Sequence, residues 1–207
     1  MSRWEKVRLG DVCELITDGT HQTPTYVEEG YIFLSSKNVV FKNIDWENVK
    51  YIPEELHNDL YKRRNLESSD APSRAKQIII KNDILVSTVR PNLNSVAINQ
   101  LETDTLVVAS TGFCIIRCKE NVDYHYIFKI CTSEKFINDI VKIARGASYP
   151  AVSVSDIMNV NIPIPPLQLQ KQFANIVEKI EGQKSIVKKG LNESQYLFYG
   201  LMSQYFY

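Results

Sequence analysis

The sequence predicts an α+β protein: a compact mixed α/β unit over residues 1–166, followed by one long helix over residues 167–207 that forms a coiled coil with a partner helix. Three observations carry this expectation. Short runs rich in Val, Ile and Thr alternate with segments of helical period through the first part of the chain. Pro163, Pro165 and Pro166 then forbid a central strand and disfavour helix before each of them, which marks a rigid boundary. Beyond it Phe173, Ile176, Val177, Ile180, Val187, Leu191, Leu197, Phe198, Leu201, Met202 and Tyr205 recur at steps of three, four and seven. A helix this long extends roughly 60 Å at about 1.5 Å per residue and cannot bury such a stripe against itself.

Taken in order, Val7–Leu9 reads as a strand, and Asp11 with Glu14 three residues on has the form of a capping box, so a short helix is expected from Asp11 to Ile16. A polar loop follows from Thr17 to Pro24, then a β-prone run from Tyr31 to Ser35. Pro53, Glu54 and Glu55 with Lys62, Arg63 and Arg64 place acids and bases where a helix dipole favours each, which predicts a helix over 53–64. Residues 77–80 and 84–89 read as strands joined tightly through Lys81-Asn82-Asp83, and Leu106–Cys118 forms another β-rich block. Asp123 and Ser133 are placed to cap two helices, the second with an apolar face of Phe136, Ile137, Ile140, Val141 and Ala144 that ends before Gly146. Gly182, Gly190 and Gly200 interrupt the C-terminal helical pattern, each costing about 1 kcal/mol relative to alanine, and local bending is expected there.

A chain of 207 residues that is 44% hydrophobic and 23% charged is globular rather than disordered. No window approaches the roughly eighteen consecutive apolar residues of a membrane span, and the first residues lack the order of a signal peptide, so a cytoplasmic protein without membrane contact is expected. Cys13, Cys114, Cys118 and Cys131 form no CxxC pair and His21, His57 and His125 are scattered. Free buried thiols are expected, with neither a zinc site nor a disulfide framework. The net charge of zero argues against indiscriminate coating of nucleic acid. Its distribution is uneven: residues 62–90 hold seven Lys/Arg against three Asp/Glu, which suits either one wall of a phosphate-binding cleft or a solvated helix end and loop.

Trp4 with Val7-Arg8-Leu9-Gly10-Asp11-Val12, Asp18-Gly19-Thr20-His21 with Thr23-Pro24, the strand Ile84 to Val89 with Arg90-Pro91, and Ile162-Pro163-Ile164-Pro165-Pro166-Leu167 with Gln170 occur in an order and spacing that resembles the specificity subunit of type I restriction-modification enzymes. The resemblance spans essentially the whole chain. Leu169 stands where that family commonly carries an acid, which removes a favourable first-turn carboxylate. The resemblance implies a target recognition domain over residues 1–166 and a dimerising helix, in a half-length form, since family members usually carry two of each with the helices packed antiparallel as a ruler between two DNA-reading domains. It implies double-stranded DNA, methyltransferase and restriction subunits as partners, with no cofactor of its own. With one helix in this chain, the mate is expected from a second copy in a two-fold dimer reading inverted half-sites. The dimer stripe is assigned to Phe173, Val177, Ile180, Val187, Leu191, Phe198, Leu201 and Tyr205.

Base and phosphate contacts need donors and acceptors on loops held by a rigid scaffold. Thr20, His21, Gln22, Thr23 and Tyr26 fall within seven residues, although Asp18 to His21 also suits a tight turn. Ser73, Arg74 and Lys76 occupy a proline-interrupted polar loop with Gln77. Arg90, Asn92 and Asn94 follow a strand end and either face DNA or brace a turn. Arg145, Ser148 and Tyr149 follow a helix end, where a simple cap explains Gly146 but uses neither Arg145 nor Tyr149. Lys37 and Asn38 complete the set. The aromatic tail from Tyr196 to Tyr207 reads as helix-packing surface.

The only Pro-Pro is followed by Leu167, so the Asp/Asn-Pro-Pro-aromatic motif of an adenine methyltransferase is missing, as is a GxxxxGK[ST] phosphate loop. A non-catalytic recognition subunit is therefore expected. The alternatives are a coiled-coil adaptor or decoy that captures partner subunits without reading DNA, and a small self-contained nuclease or methyltransferase.

Overall fold

A computed structural model describes residues 4–18, 25–40, 42–53, 78–103 and 105–206. Strand β1 (Lys6–Arg8) runs into a 3-10 turn at Leu9–Val12 and then β2 (Cys13–Asp18). The helix expected from Asp11 to Ile16 is thus corrected to a turn and a strand. Asp11 caps nothing; its carboxylate accepts two hydrogen bonds from the Arg8 guanidinium, at 3.1 and 2.8 Å, which holds it below the usual carboxylate range. Leu9 and Val12 turn inward, and the partly β-branched run after them finds a sheet neighbour, so tertiary pairing overrides the local capping signal.

The chain continues through β3 (Tyr31–Leu34), the short pair β4 (Val39–Val40) and β5 (Asn43–Ile44), and β6 (Lys50–Ile52). The helix expected over 53–64 falls outside the described residues apart from Pro53. Next come β7 (Ile78–Ile79), β8 (Ile84–Ser87), a 3-10 turn at Pro91–Leu93, β9 (Val96–Ile98), β10 (Val107–Ala109) and β11 (Phe113–Cys118). Two four-stranded sheets result, ordered β6-β3-β10-β7 and β2-β11-β8-β9. Within them β3 and β10 pair in parallel and the other neighbours antiparallel. β7 and β8, though joined by a tight turn, belong to different sheets. Asn82 takes a left-handed φ of 72° in that turn, and Asp83 behind it is clamped by Arg117 of β11 through two hydrogen bonds of 2.9 and 2.7 Å.

Helices α1 (Tyr124–Cys131), α2 (Glu134–Ile143) and α3 (Val154–Met158) pack on the second sheet. Asp123 accepts from the Tyr126 N–H and Ser133 from the Phe136 N–H, as their positions in the sequence predict. On α2 Phe136, Ile137 and Ile140 are buried, while Val141 lies on the exposed edge. α3 was not anticipated, although Ser153 and Asp156 form a full capping box.

The second sheet is buried on both faces. Ile84, Val86, Cys114 and Ile116 meet Ile127, Phe136, Ile140 and Ile157, whereas the alternate residues Leu85, Ala97, Phe113 and Ile115 meet Leu34, Val107 and Ala109 of the first sheet. Two-sided burial explains why Ile84–Val86 and Phe113–Ile116 read as continuous apolar runs rather than alternating ones. A third cluster, Phe33, Ile52, Ile78 and Val108, lies on the far face of the first sheet.

Strand β12 (Asn161–Pro163) pairs antiparallel with β1, so Pro163 sits in a two-stranded edge ladder where a missing N–H is tolerated. Helix α4 (Leu167–Phe206) follows, 40 residues long and assigned through Gly182, Gly190 and Gly200. Gln170 and Ala174 are its buried residues; from Glu178 to Leu201 every side chain is exposed. Among the described residues no helix is long and apolar enough to cross a membrane.

Candidate nucleic-acid interface

After α2 the chain makes a closed loop. The Arg145 N–H donates to the Ala151 carbonyl at 2.8 Å and the Ala151 N–H returns to the Arg145 carbonyl at 2.9 Å, pinching residues 145–151 into a knuckle. Gly146 takes φ +100°, and a Cβ there would stand 2.9 Å from the Tyr149 carbonyl oxygen, so the knuckle needs glycine at this point. Gly146 therefore belongs to this loop rather than to a helix cap; α2 has already ended at Ile143, with Ala144 extended. The closure leaves Arg145, Ser148 and Tyr149 exposed on its outer side.

The knuckle is fastened to the end of β8. Ala151 bridges to Val89, the Val152 N–H donates to the Thr88 carbonyl at 2.9 Å, and the Arg90 N–H donates to the Pro150 carbonyl at 2.8 Å. Arg90 adopts φ 48° and ψ 58°, a left-handed conformation that costs a non-glycine residue energy and persists because these neighbours fix it. Its guanidinium lies 4.9 Å from the Tyr149 ring centroid, a cation–π contact. Arg145 reaches Asp156 at 3.6 Å, and its side chain is 80% exposed. The Ser153 hydroxyl and N–H, and more weakly Arg145, hold the Asp156 carboxyl below the usual range. Arg90 thus shares one edge with Arg145 and Tyr149, more than fifty residues further along the sequence.

Two further turns join that edge. The Thr88 N–H donates to the Gly112 carbonyl and its hydroxyl to the Thr111 carbonyl, at 2.9 and 3.2 Å. A Cβ on Gly112 would meet Ser36 Cβ at 3.4 Å and the Val89 side chain at 3.5 Å, so the Ser36–Asn38 turn, carrying exposed Lys37, abuts the base of the Arg90 loop. A groove beside it is lined by Thr17, Asp18, Thr88, Thr111, Ser153 and Ser155, with Ile16, Val152 and Val154 beneath. Sequence reading missed these groove hydroxyls; for Ser153 the Ser-x-x-Asp capping pattern was the available signal.

Of the remaining candidates, Asn92 is exposed in the 3-10 turn after Arg90. Asn94 braces that turn, with φ 51° and a side-chain amide donating to the Thr132 carbonyl at 3.1 Å. Asn38 is likewise structural: it is buried, accepts from the Ser35 N–H and hydroxyl, and donates to the Asn48 carbonyl. Tyr26 is exposed beside β3 and β6, with Lys50 3.9 Å from its ring centroid and Phe33 behind it. No described contact joins it to the Arg90 edge. Thr20, His21, Gln22, Thr23, Ser73, Arg74 and Lys76 lie outside the described residues.

Among the described residues no group of three or more His, Cys, Asp or Glu is placed to hold a metal ion. Cys114 and Cys131 are fully buried, and that burial pushes their thiols up, away from the reactive thiolate; a hydrogen bond with Cys13, then burial, does the same for Cys118.

The family model for the type I restriction modification DNA specificity domain matches residues 1–194. The chain is 25% identical over 186 residues to the type I restriction enzyme MjaVIII specificity subunit of Methanocaldococcus jannaschii, covering 90% of this chain and 41% of that protein. It is 24% identical over 185 residues to the HindI specificity subunit of Haemophilus influenzae, covering 87% and 36%. The crystal structure of the HsdS subunit from Thermoanaerobacter tengcongensis superposes with a TM-score of 0.68 at 29% identity, over 97% of this chain and 48% of that one. The chain therefore spans less than half the length of each of these relatives. With a match across nearly all of its residues and the same arrangement of sheets and long C-terminal helix, the chain belongs to the type I restriction modification DNA specificity domain family.

Proposed function

We propose that this chain is a non-catalytic, sequence-specific reader of double-stranded DNA that directs partner methyltransferase and restriction subunits to a two-part target. Residues 1–166 are the recognition unit, and residues 167–207 pair with the same helix of a second copy, antiparallel, holding two recognition units at a set distance. The observation that carries the reading is the edge where Arg90, Arg145, Ser148 and Tyr149 converge on backbone-locked loops, with Asn92 and Lys37 beside them. Rigid cationic and hydrogen-bonding groups on a scaffold edge suit phosphate positioning and base-edge readout. Thr20, His21, Gln22, Thr23, Tyr26, Ser73, Arg74 and Lys76 are proposed as further DNA contacts.

Pairing is supported by the apolar stripe of α4, on which Ile180, Val187, Leu191, Phe198, Leu201 and Tyr205 are 44–70% exposed. A stripe that long left in water is costly, at roughly 25 cal/mol for each Å² of apolar surface. The test is a binding selection on random duplexes with the methyltransferase partner present. Enrichment of one two-part target with inverted halves is expected. Enrichment of no sequence overturns the reading.

A further inference from the structure

We infer that Gln170 is a positioning residue that sets the angle at which α4 leaves the α+β unit, and thereby the spacing between the two DNA half-sites; this rests on the DNA-reading role proposed above. Gln170 lies in the first turn of α4 and is 2% exposed. Its side-chain carbonyl accepts from the Asp123 N–H at 2.9 Å, and its amide donates to the Pro165 carbonyl at 2.8 Å. Asp123 is the N-cap of α1 and Pro165 belongs to the extended segment before α4, so one amide ties three elements together. The task needs a donor and an acceptor on one planar group: a carboxylate lacks the donor, and an aliphatic chain lacks both.

The surroundings make the tie directional. The Tyr126 hydroxyl of α1 donates to the Pro163 carbonyl at 2.8 Å, and its ring meets Phe173 edge-on with centroids 5.7 Å apart. Ala174 is buried one turn beyond Gln170, and its small side chain lets α4 lie close. From Glu178 to Leu201 every side chain of the helix is exposed, so its course is decided within the first three turns, Leu167 to Val177.

A lever turns a small angular freedom there into a large displacement at the target. From Ala174 to the end of α4 the helix extends about 48 Å at about 1.5 Å per residue, so a tilt of about 10° at its root moves the far end by about 8 Å. That exceeds two base-pair steps at about 3.4 Å each. The apolar stripe holds two helices together, but it does not fix how each recognition unit sits on its own helix; Gln170 does.

The experiment uses the full chain assembled with its methyltransferase partner and duplexes carrying the selected half-sites separated by spacers of every length. The wild-type chain is expected to select one spacer sharply. Gln170→Ala is expected to keep the same half-site sequences while its relative binding to spacers one and two base pairs away rises by about tenfold, the scale of one lost polar constraint. Tyr126→Phe, which drops only the bond to Pro163, is expected to broaden the preference less. If Gln170→Ala fails to fold by thermal melt, Gln170→Glu is read in its place, since it keeps the acceptor for Asp123 and loses the donor to Pro165. A spacer preference as sharp as wild type, or a loss of binding uniform across all spacers, overturns the inference and leaves Gln170 a stabilising residue only. Failure of the wild-type chain to select any two-part target instead defeats the DNA-reading role itself.

Discussion

At Arg145 the contribution to stability and the proposed contact with DNA can be tested apart. Its ion pair with Asp156 is long at 3.6 Å and its side chain 80% exposed, and such pairs contribute between nothing and about 1 kcal/mol. Arg145→Ala is therefore expected to melt within about 2 °C of wild type, while the plot of log affinity against log salt loses about one unit of slope if the guanidinium contacts a phosphate. An unchanged slope in a salt titration removes Arg145 from the DNA surface. Asp156 offers a pH-resolved counterpart. Its folded pKa is lowered, chiefly by Ser153, so its contribution is present above the unfolded carboxylate range near about 4 and is lost as pH falls through the folded value. The stability difference between wild type and Asp156→Asn, read by chemical unfolding, is expected to be roughly 0.5–1 kcal/mol at pH 7, the worth of a surface cap, and to shrink toward zero in acid. Arg145 and Tyr149 stand out in the sequence as candidates because a simple helix cap uses neither. That Tyr149 stacks with Arg90 is not legible there, because the bridge from Ala151 to Val89 that joins their loops is a backbone pairing with no side-chain signature.

At the scale of elements, the turn between β7 and β8 is one of the connections that pass from one sheet to the other, and the Asp83–Arg117 fork holds it. Asp83 is 1% exposed and also accepts from the Ile80 N–H at 2.9 Å. Burial pushes its carboxyl up, and the Arg117 fork only partly offsets that rise. A raised folded pKa means that this group favours folding most in acid and progressively less as pH rises through the folded value, so the pair organises the turn more than it stabilises it. Removing one partner is a different matter, because it strands the other: Asp83→Ala is expected to cost about 3 kcal/mol, seen as a lower urea midpoint at unchanged m-value. A variant within about 0.5 kcal/mol of wild type contradicts that role. The tight connection was legible from Lys81-Asn82-Asp83, but the change of sheet was not, since both strands are two-sided and apolar and carry no alternation to say which sheet each joins. The Asp11–Glu14 spacing misled for a related reason: a local cap signal is worth about 1 kcal/mol, and a full β-ladder outweighs it.

For the molecule as a whole, α4 is the element whose surface the rest of the fold leaves uncovered. Leu191 and Phe198 are each 58% exposed, and a Cβ added at Gly182, Gly190 or Gly200 meets nothing within 4 Å, so substitutions here touch no core. The double change Leu191→Glu and Phe198→Glu is expected to leave the globular melting transition within about 2 °C of wild type and to convert a dimer at micromolar concentration into a monomer by light scattering. A wild-type chain that scatters as a monomer there defeats the two-fold pairing. The sequence alone determined the periodic stripe, the start of the long helix after Pro166, the β-rich runs near 31–35, 84–89 and 106–118 and the two helices capped by Asp123 and Ser133, because each follows from local propensity and period. Only the tertiary structure decided which distant loops meet at Arg90, which sheet each strand joins, and that Gln170 locks the root of the helix, because those depend on backbone hydrogen bonds between segments far apart in the chain, which residue type does not encode.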